Sequence, residues 1–243
     1  MLRAVLFDLD DTLFDHGSCA RDALAAVYRS HERFSSVTFS EFERVHATLL
    51  EALHQRVMSG ELDLDTARRE RFRRLFEAAD ASDCSPDEGA RIYRECYVRT
   101  RRAVSGAAAL LSALRPRVKV GVVSNNLLAE QQDKMKHCGL DTFVDALVVS
   151  EEVGVVKPDP YIFRVALSRL EVSAEDAVMV GDSWTADVEG ARAAGIPAVW
   201  FNRNGLPSPD PAAGVPELRA LEPEGAAIDV IEFAHSRARA HRH

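Results

Sequence analysis

Acidic side chains stand at the ends of two apolar, strand-like segments of this chain. Asp8 and Asp10 end the first, in FDLDDT, and their spacing of two would turn both carboxylates the same way in extended backbone. Asp182 ends a later segment, in GDS, and Asp187 follows in the first turn of the next predicted helix. Carboxylates that converge raise one another's pKa unless a cation neutralises them. Hard oxygen ligands, with no His or Cys nearby, favour Mg²⁺.

Two further strand ends carry groups that bind anions. Ser124 and Asn125 end the second predicted strand, and Lys157 follows the third in VVKPDP. Taken singly, each of these features has an ordinary structural explanation as a turn former, a helix cap or a solvated charge. Ligands of parallel α/β sheets bind outside the carboxyl ends of the strands, so together these residues favour one shared site.

The elements that would hold this site form an alternating βαβα pattern. Short apolar runs without polar alternation indicate strands buried on both faces, as in a parallel sheet covered by helices. The predicted fold class is therefore α/β, a Rossmann-like doubly wound parallel sheet. The predicted strands are Ala4–Leu9, Val118–Val123, Ala146–Val149, Ala177–Val180 and Ala198–Phe201. The predicted helices between them are Gly106–Leu114, Leu128–His137, Pro160–Leu170 and Thr185–Ala194.

One interval interrupts the alternation. No strand pattern occurs between Asp15 and about Arg102, whereas ordinary βα connections span roughly 2–6 residues. S/T-x-x-E capping boxes at Thr38 and Ser85, and apolar residues at three-to-four spacing, predict helices near residues 19–32, 39–59, 64–79 and 86–102. We therefore expect a helical domain over residues 15–102, inserted into an α/β core made of residues 1–14 and 103–243.

The order of these motifs resembles that of the haloacid dehalogenase superfamily. Its DxDxT, Ser/Thr, Lys and GDxxxxD motifs are matched by residues 8–12, Ser124, Lys157 and residues 181–187. The resemblance spans the α/β part, and the inserted segment falls where members carry a type-one helical cap. The stretch SEEVGVVKPDPYIF is similar to the branch that holds nucleotidases and acylneuraminate phosphatases. Asp11 replaces a Gly that many relatives carry, and we interpret it as a loop substitution without a role.

The resemblance implies a role for each motif residue. Asp8 would be the nucleophile that forms an aspartyl-phosphate, and Asp10 the general acid and base. Ser124 and Lys157 would bind the phosphoryl oxygens, and Asn125 would help to orient the substrate.

The resemblance also implies a metal site and an activity. Mg²⁺ would be held by Asp8, the backbone carbonyl of Asp10 and Asp182, with Asp187 supporting it through water. The expected function is a Mg²⁺-dependent phosphatase, a phosphoric monoester hydrolase acting on a nucleotide, sugar phosphate or phospho-acid. A cap that closes as a lid would limit the substrate to a small molecule.

Three alternatives stay open at this point. A phosphomutase of the same fold would keep Asp8 and Asp10 but return the phosphoryl group to a sugar. A 2-haloacid dehalogenase would use the first carboxylate but lacks the second, because halide leaves without a proton. A non-catalytic regulatory relative would have no need to retain the complete set of motif residues.

Composition narrows the classes of partner. The chain has 243 residues and a formal net charge of −8, with 30 Lys+Arg against 38 Asp+Glu, so no nucleic-acid partner is expected. No apolar run is long enough to span a bilayer, and the strand-like start does not resemble a signal peptide. The four cysteines lack metal-binding or paired spacing, which favours free thiols and a cytoplasmic location. We expect a monomer or homodimer, and a frayed terminus over residues 234–243.

Overall fold

A computed structural model, in which residues 1–240 are described, contains a six-stranded parallel sheet. The strands lie in the order β3-β2-β1-β4-β5-β6, and every neighbouring pair is parallel. Their bounds are β1 Ala4–Phe7, β2 Lys119–Ser124, β3 Ala146–Val149, β4 Ala177–Gly181, β5 Ala198–Phe201 and β6 Glu217–Leu218. The predicted fold class is thereby confirmed.

The sheet differs from the prediction at two places. β1 ends at Phe7, two residues earlier than predicted, so the backbone of Asp8 and Asp10 is not part of a regular strand. β6 was not predicted, because two residues are too few to show an apolar pattern, and it forms only by pairing with β5.

Both faces of the sheet are buried, as the apolar strand patterns predicted. Leu6 and Met179 point to one face, where they pack with Phe163 of a helix that spans Pro160–Leu170. Their neighbours Phe7 and Val180 point to the opposite face and are equally buried. Strands covered on both sides are held in one register, which fixes where their carboxyl ends lie.

Helices connect the strands of this α/β part. In chain order after the helical insert, they are α5 Ala107–Leu114, α6 Leu128–His137, α7 Ser150–Val153, α8 Pro160–Leu170, α9 Gly190–Ala193 and α10 Glu224–Ala240. A π-helical turn at Trp184–Glu189 precedes α9, so the predicted helix at Thr185–Ala194 divides into two pieces. A π-helical turn often marks a functional position.

The chain folds into two compact units. The α/β unit comprises Met1–Asp15 and the chain from Arg102 onward, and the helical unit is His16–Arg101. The helical unit contains α1 His16–Arg29, α2 Phe39–Met58, α3 Leu64–Ala78 and α4 Pro86–Thr100. Among the described residues, no helix combines the length and the apolar character needed to cross a membrane.

Side-chain caps and aromatic packing explain the helical unit. The hydroxyls of Thr38 and Ser85 accept hydrogen bonds from the third residue of α2 and α4, as the capping boxes predicted. Asp63 caps α3 in the same way. Phe34 packs on Phe76 with ring centroids 4.8 Å apart, in a core that includes further buried aromatic rings.

The C-terminal region is ordered as far as the structure describes it. The predicted frayed terminus is wrong for residues 234–240, which belong to α10, and residues 241–243 lie outside the described part. α10 packs on α5, β4 and β5. Arg117 pairs with Glu232 of this helix at 2.6 Å, and Ile231 and Ala234 are buried under it. The buried side chains of α10 form a narrow apolar stripe, which the polar composition of the C-terminal residues did not indicate.

The register of the sheet places two strand ends side by side. Phe7, the last residue of β1, pairs with Val180 of β4 and with Val122 of β2. The chain leaves β1 toward β2 and β3 and then returns to the other side of β1 with β4. This reversal opens a crevice at the carboxyl ends of β1 and β4, where open α/β sheets bind their ligands.

Ile231 tests whether α10 is a packed part of the fold. Its side chain is fully buried, so Ile231→Ala should lower the free energy of unfolding by about 2–5 kcal/mol. Phe233, two residues later, is 56% exposed, and Phe233→Ala should change it by less than about 0.5 kcal/mol. Denaturant unfolding followed by tryptophan fluorescence measures both, because both tryptophans lie in the α/β unit. Equal effects of the two substitutions would show that α10 is not docked.

Candidate functional site

Asp8 lies at the reversal point of the sheet. It directly follows β1, and its backbone N–H donates to the carbonyl of Val180 in β4 at 2.9 Å. Only 6% of the residue is exposed. A carboxylate in this position is fixed by the central strands and faces the crevice where a ligand would bind.

Three of the predicted carboxylates converge there. Asp8, Asp182 and Asp187 each offer an oxygen, and these oxygens all lie within 4.8 Å of one another. Asp182 follows β4, and Asp187 belongs to the π-helical turn. The side chain of Asp10 is not in this set, and its predicted contribution to the metal was a backbone carbonyl.

Hydrogen bonds orient the two carboxylates that come from the β4 side. The Thr12 hydroxyl accepts from the Asp182 backbone N–H at 3.1 Å and lies 3.4 Å from its carboxylate. The backbone N–H of Ser183 donates to Asp187 at 3.0 Å. Gly181 makes the approach of Asp187 possible, because a Cβ at this position would overlap the Asp187 carboxyl group.

Lys157 is buried among the carboxylates. Its Nζ donates to Asp8 at 2.5 Å, to Asp187 at 2.6 Å and to the carbonyl of Val123 at 2.8 Å. The Asn125 side chain holds the backbone of Lys157 from both sides, donating to its carbonyl at 2.9 Å and accepting from its N–H at 2.7 Å. Asn125, which was predicted to orient the substrate, is thus engaged in positioning Lys157.

The charges of this cluster shift its pKa values. Burial, followed by Asp187 and Asp182, raises the pKa of Asp8 well above its usual value, although Lys157 opposes the shift. Burial and then Asp187 and Asp11 raise the pKa of Asp182 to about 7. Burial alone would lower the pKa of Lys157, but Asp187 and Asp8 outweigh it and raise that pKa. The cluster therefore carries more negative charge than one lysine balances.

Asp10 lies in a second polar group. Lys134 of α6 donates to both of its carboxylate oxygens, at 2.6 and 2.8 Å. Gln131 donates to Asp10 at 2.9 Å and to the Ser124 hydroxyl at 2.6 Å, and Asn126 donates to Asp10 at 3.3 Å. The predicted site residues Asp10 and Ser124 are thus linked to each other through Gln131.

Sequence reasoning missed Lys134, Gln131 and Asn126. A signal was available, because residues 131 and 134 are three apart and so share a face of the helix that follows Ser124. Asp11 was interpreted as a loop substitution without a role, and in the structure its carboxylate forms an ion pair. Arg203 donates to Asp11 at 3.2 Å and to Asp15 at 2.6 Å, and Asp11 adopts a left-handed backbone conformation with φ of 63°.

Comparison with known proteins places these motifs in a family. The model of the haloacid dehalogenase-like hydrolases matches residues 2–195. The phosphoserine phosphatase of Thermus thermophilus is 33% identical over 90% of this chain and 95% of its own length. The pyrimidine 5′-nucleotidase YjjG of Escherichia coli is 28% identical over 90% of this chain and 95% of its own. Human N-acylneuraminate-9-phosphatase is 29% identical over 84% of each chain.

Solved structures share the fold. The hydrolase YfnB of Bacillus subtilis, determined with bound magnesium, superposes with a TM-score of 0.74 at 25% identity, covering 94% of this chain and 99% of that one. A dehalogenase with an intermediate complex superposes with a TM-score of 0.72 at 21% identity, over 90% and 94% of the two chains, which shows the fold alone. With the family model matching most of the sequence and the motif carboxylates gathered at one end of the sheet, this chain belongs to the haloacid dehalogenase-like hydrolases.

Proposed function

We propose that the protein is a Mg²⁺-dependent phosphatase that hydrolyses a small phosphorylated metabolite, with Asp8 as the nucleophile. The observation that carries the proposal is the convergence of Asp8, Asp182 and Asp187 around Lys157 at the reversal point of the sheet. The phosphatases and nucleotidase among the relatives support the reaction class.

The donor set fits a hard divalent cation. When all three carboxylates are ionised, the one ammonium leaves two negative charges uncompensated, which Mg²⁺ would neutralise. All three side-chain donors are oxygens, and burial beside Asp187 and Asp11 raises the pKa of Asp182, so a divalent cation there would stabilise its ionised form. Asp8, Asp182 and Asp187 would hold the ion, with the backbone carbonyl of Asp10 as a further ligand. When bound, Mg²⁺ supplies charge neutralisation at the phosphoryl oxygens.

The first step is displacement at phosphorus by Asp8. Its carboxylate oxygen forms a bond to phosphorus while the ester oxygen leaves, which gives an aspartyl-phosphate and an alcohol. Lys157, held against Asp8, and the Ser124 hydroxyl bind the equatorial oxygens and stabilise the charge that spreads over them. Burial of Asp8 helps because it leaves the nucleophile poorly hydrated.

The second aspartate of the DxDxT motif, Asp10, moves the proton. Asp10 gives a proton to the leaving alkoxide, and then takes one from the water that attacks the aspartyl-phosphate and releases inorganic phosphate. In the structure both of its oxygens accept hydrogen bonds from Lys134, which hold the carboxyl group in position. Asp10 also favours phosphoester hydrolysis over dehalogenation, since halide needs no proton to leave.

The proposal also covers the substrate class, the cellular location and the oligomeric state. The substrate is a nucleotide, sugar phosphate or phospho-acid, and a lid role for the helical unit stays a prediction. The four cysteines are free thiols, which supports a cytoplasmic location. The protein is proposed to act as a monomer or homodimer, without a nucleic-acid or membrane partner. Net release of inorganic phosphate would separate this activity from a phosphomutase.

Asp8→Asn should abolish phosphate release, lowering kcat by about three orders of magnitude or more, because an amide cannot attack phosphorus. The measurement is phosphate release from a panel of small phosphate esters at saturating Mg²⁺. Asp229→Asn, at an exposed position on α10, is the matched control and should retain full activity. Substantial turnover by a correctly folded Asp8→Asn protein would remove Asp8 from the nucleophile role.

Asp10→Asn should depend on the leaving group. An alkyl phosphate needs a proton donor, so kcat/KM should fall by roughly 10²–10⁴-fold, whereas an activated aryl phosphate should lose much less in the first step. Steady-state and burst kinetics on the two ester types measure the difference. Equal losses in the burst phase on both would contradict the acid role of Asp10.

Gly181→Ala should weaken the metal site, because the new methyl group must displace the carboxyl group of Asp187. Activity should stop on chelation with EDTA, and the Mg²⁺ concentration that restores half of it should rise by about tenfold or more in the variant. Gly225→Ala adds the same methyl group where nothing lies within 4 Å, so it should leave this concentration unchanged. An unchanged Mg²⁺ requirement in Gly181→Ala would argue against Asp187 as a contributor.

A further inference from the structure

The helical unit buries two basic side chains that the proposed reaction does not use. Arg71 on α3 is 7% exposed and His46 on α2 is 4% exposed. Among the described residues, Nε of Arg71 and Nε2 of His46 have no hydrogen-bond partner. A buried polar group without a partner is costly, and a buried guanidinium is normally paired with an acid.

Aromatic rings surround this pair. The Cζ of Arg71 lies 4.6 Å from the ring centroid of Tyr93 and 5.0 Å from that of Phe72. The His46 ring lies 5.3 Å from Tyr93 and 6.0 Å from Phe72. Arg71 and His46 therefore share two aromatic neighbours. Ring faces offset part of the cost of a buried cation, but they supply no acceptor for its N–H groups.

Other basic groups act on both of these side chains. Burial lowers the pKa of Arg71, and Arg68 lowers it further, while Tyr93 and Tyr97 oppose the shift. Burial, then Arg71 and His16, lower the pKa of His46 well below its usual value. Within the described part of the chain, the groups that shift these two pKa values include no carboxylate, so an added negative charge would favour the protonated form of each side chain.

Two stacked tyrosines of α4 have further basic neighbours. Tyr93 and Tyr97 of α4 stack with centroids 6.0 Å apart and planes at 10°. Arg101 lies over Tyr97, 5.7 Å from its centroid, and Nδ1 of His16 is 2.8 Å from the Tyr97 hydroxyl. Basic side chains from four segments of the helical unit thus meet along one pair of rings.

We propose that this cluster is a binding site for a small oxyanion, a carboxylate or a phosphate group, with Arg71 as its main ligand and His46 as a second donor. The planar guanidinium can donate two parallel hydrogen bonds to such an anion. A side chain that only filled space at this position would not need these donors. The inference rests on contacts within the helical unit alone and does not depend on the proposed phosphatase activity.

The direct test is an NMR titration of the metal-free, ¹⁵N-labelled full chain. Inorganic phosphate and malonate are added separately, with sodium chloride at matched ionic strength as the blank. The Nε–H signal of Arg71, identified by its loss in Arg71→Lys, and the ring signals of His46 should shift and saturate. Signals that stay in place, or that drift with phosphate and malonate as they do with chloride, would overturn the proposal.

Variants separate the site from general charge effects. Arg71→Lys keeps the charge but loses the planar fork, so the anion should dissociate about tenfold more readily, as followed by His46. Arg69→Lys makes the same change at an exposed position on the same helix and should bind within about twofold of the unaltered protein. Unaltered affinity in Arg71→Lys would contradict the assignment. The titration of the unaltered protein decides the matter if Arg71→Lys does not fold.

Kinetics distinguish the source of the anion. This arm rests on the proposed function, and compares O-phosphoserine with O-phosphoethanolamine, which differ by one carboxylate. If the bound anion is the carboxylate of the substrate, Arg71→Lys should lower kcat/KM about tenfold for phosphoserine alone. A separate small anion predicts equal changes for both esters and a response of both rates to added malonate. Absence of phosphate release from every ester would defeat the proposed function, while the titration would still test the site.

Discussion

An excess of negative charge in a confined place is the constraint on which this structure depends. Asp8, Asp182 and Asp187 bring their oxygens within 4.8 Å of one another, where Lys157 is the cation that contacts two of them. Burial and like charges at this separation both oppose ionisation, and together they raise the pKa of Asp182. Such an arrangement costs stability in the free protein, and the proposed cation and phosphate group would offset that cost.

The fold tolerates this unfavourable arrangement because strand pairing and neighbouring hydrogen bonds hold each charged group in place. Parallel pairing of β1 with β2 and β4 sets the position of Asp8, and Gly181 leaves room for Asp187. Asn125 grips the backbone of Lys157, and the Thr12 hydroxyl orients Asp182. The proposed reaction therefore depends on these positioning residues as well as on the charged groups. Replacing a positioning residue would move a charged side chain out of place without removing its charge.

Much of the α/β part could be predicted from sequence, because strands buried on both faces read as unbroken apolar runs. Local patterns do not report tertiary partners, and the errors fall there. The pairing of Lys134 with Asp10 joins segments 124 residues apart, and β6 exists only because β5 offers an edge. The spacing of Asp8 and Asp10 suggested a shared direction, but β1 ends at Phe7 and the two carboxylates have different partners. The sequence could not predict that Nε of Arg71 and Nε2 of His46 lack hydrogen-bond partners among the described residues, because this depends on which residues surround them in the folded chain.

The most direct test of the central claim is to trap the intermediate. The protein is mixed with a ³²P-labelled phosphate ester and Mg²⁺, quenched in acid within the first turnover, and digested for peptide mapping. If the phosphoryl group is transferred to Asp8, the peptide that contains Asp8 should carry a ³²P label that hydroxylamine removes. If the transfer needs the metal, no label should form when Mg²⁺ is withheld. Rapid turnover with no covalent label, or a label that maps to another residue, would contradict the account.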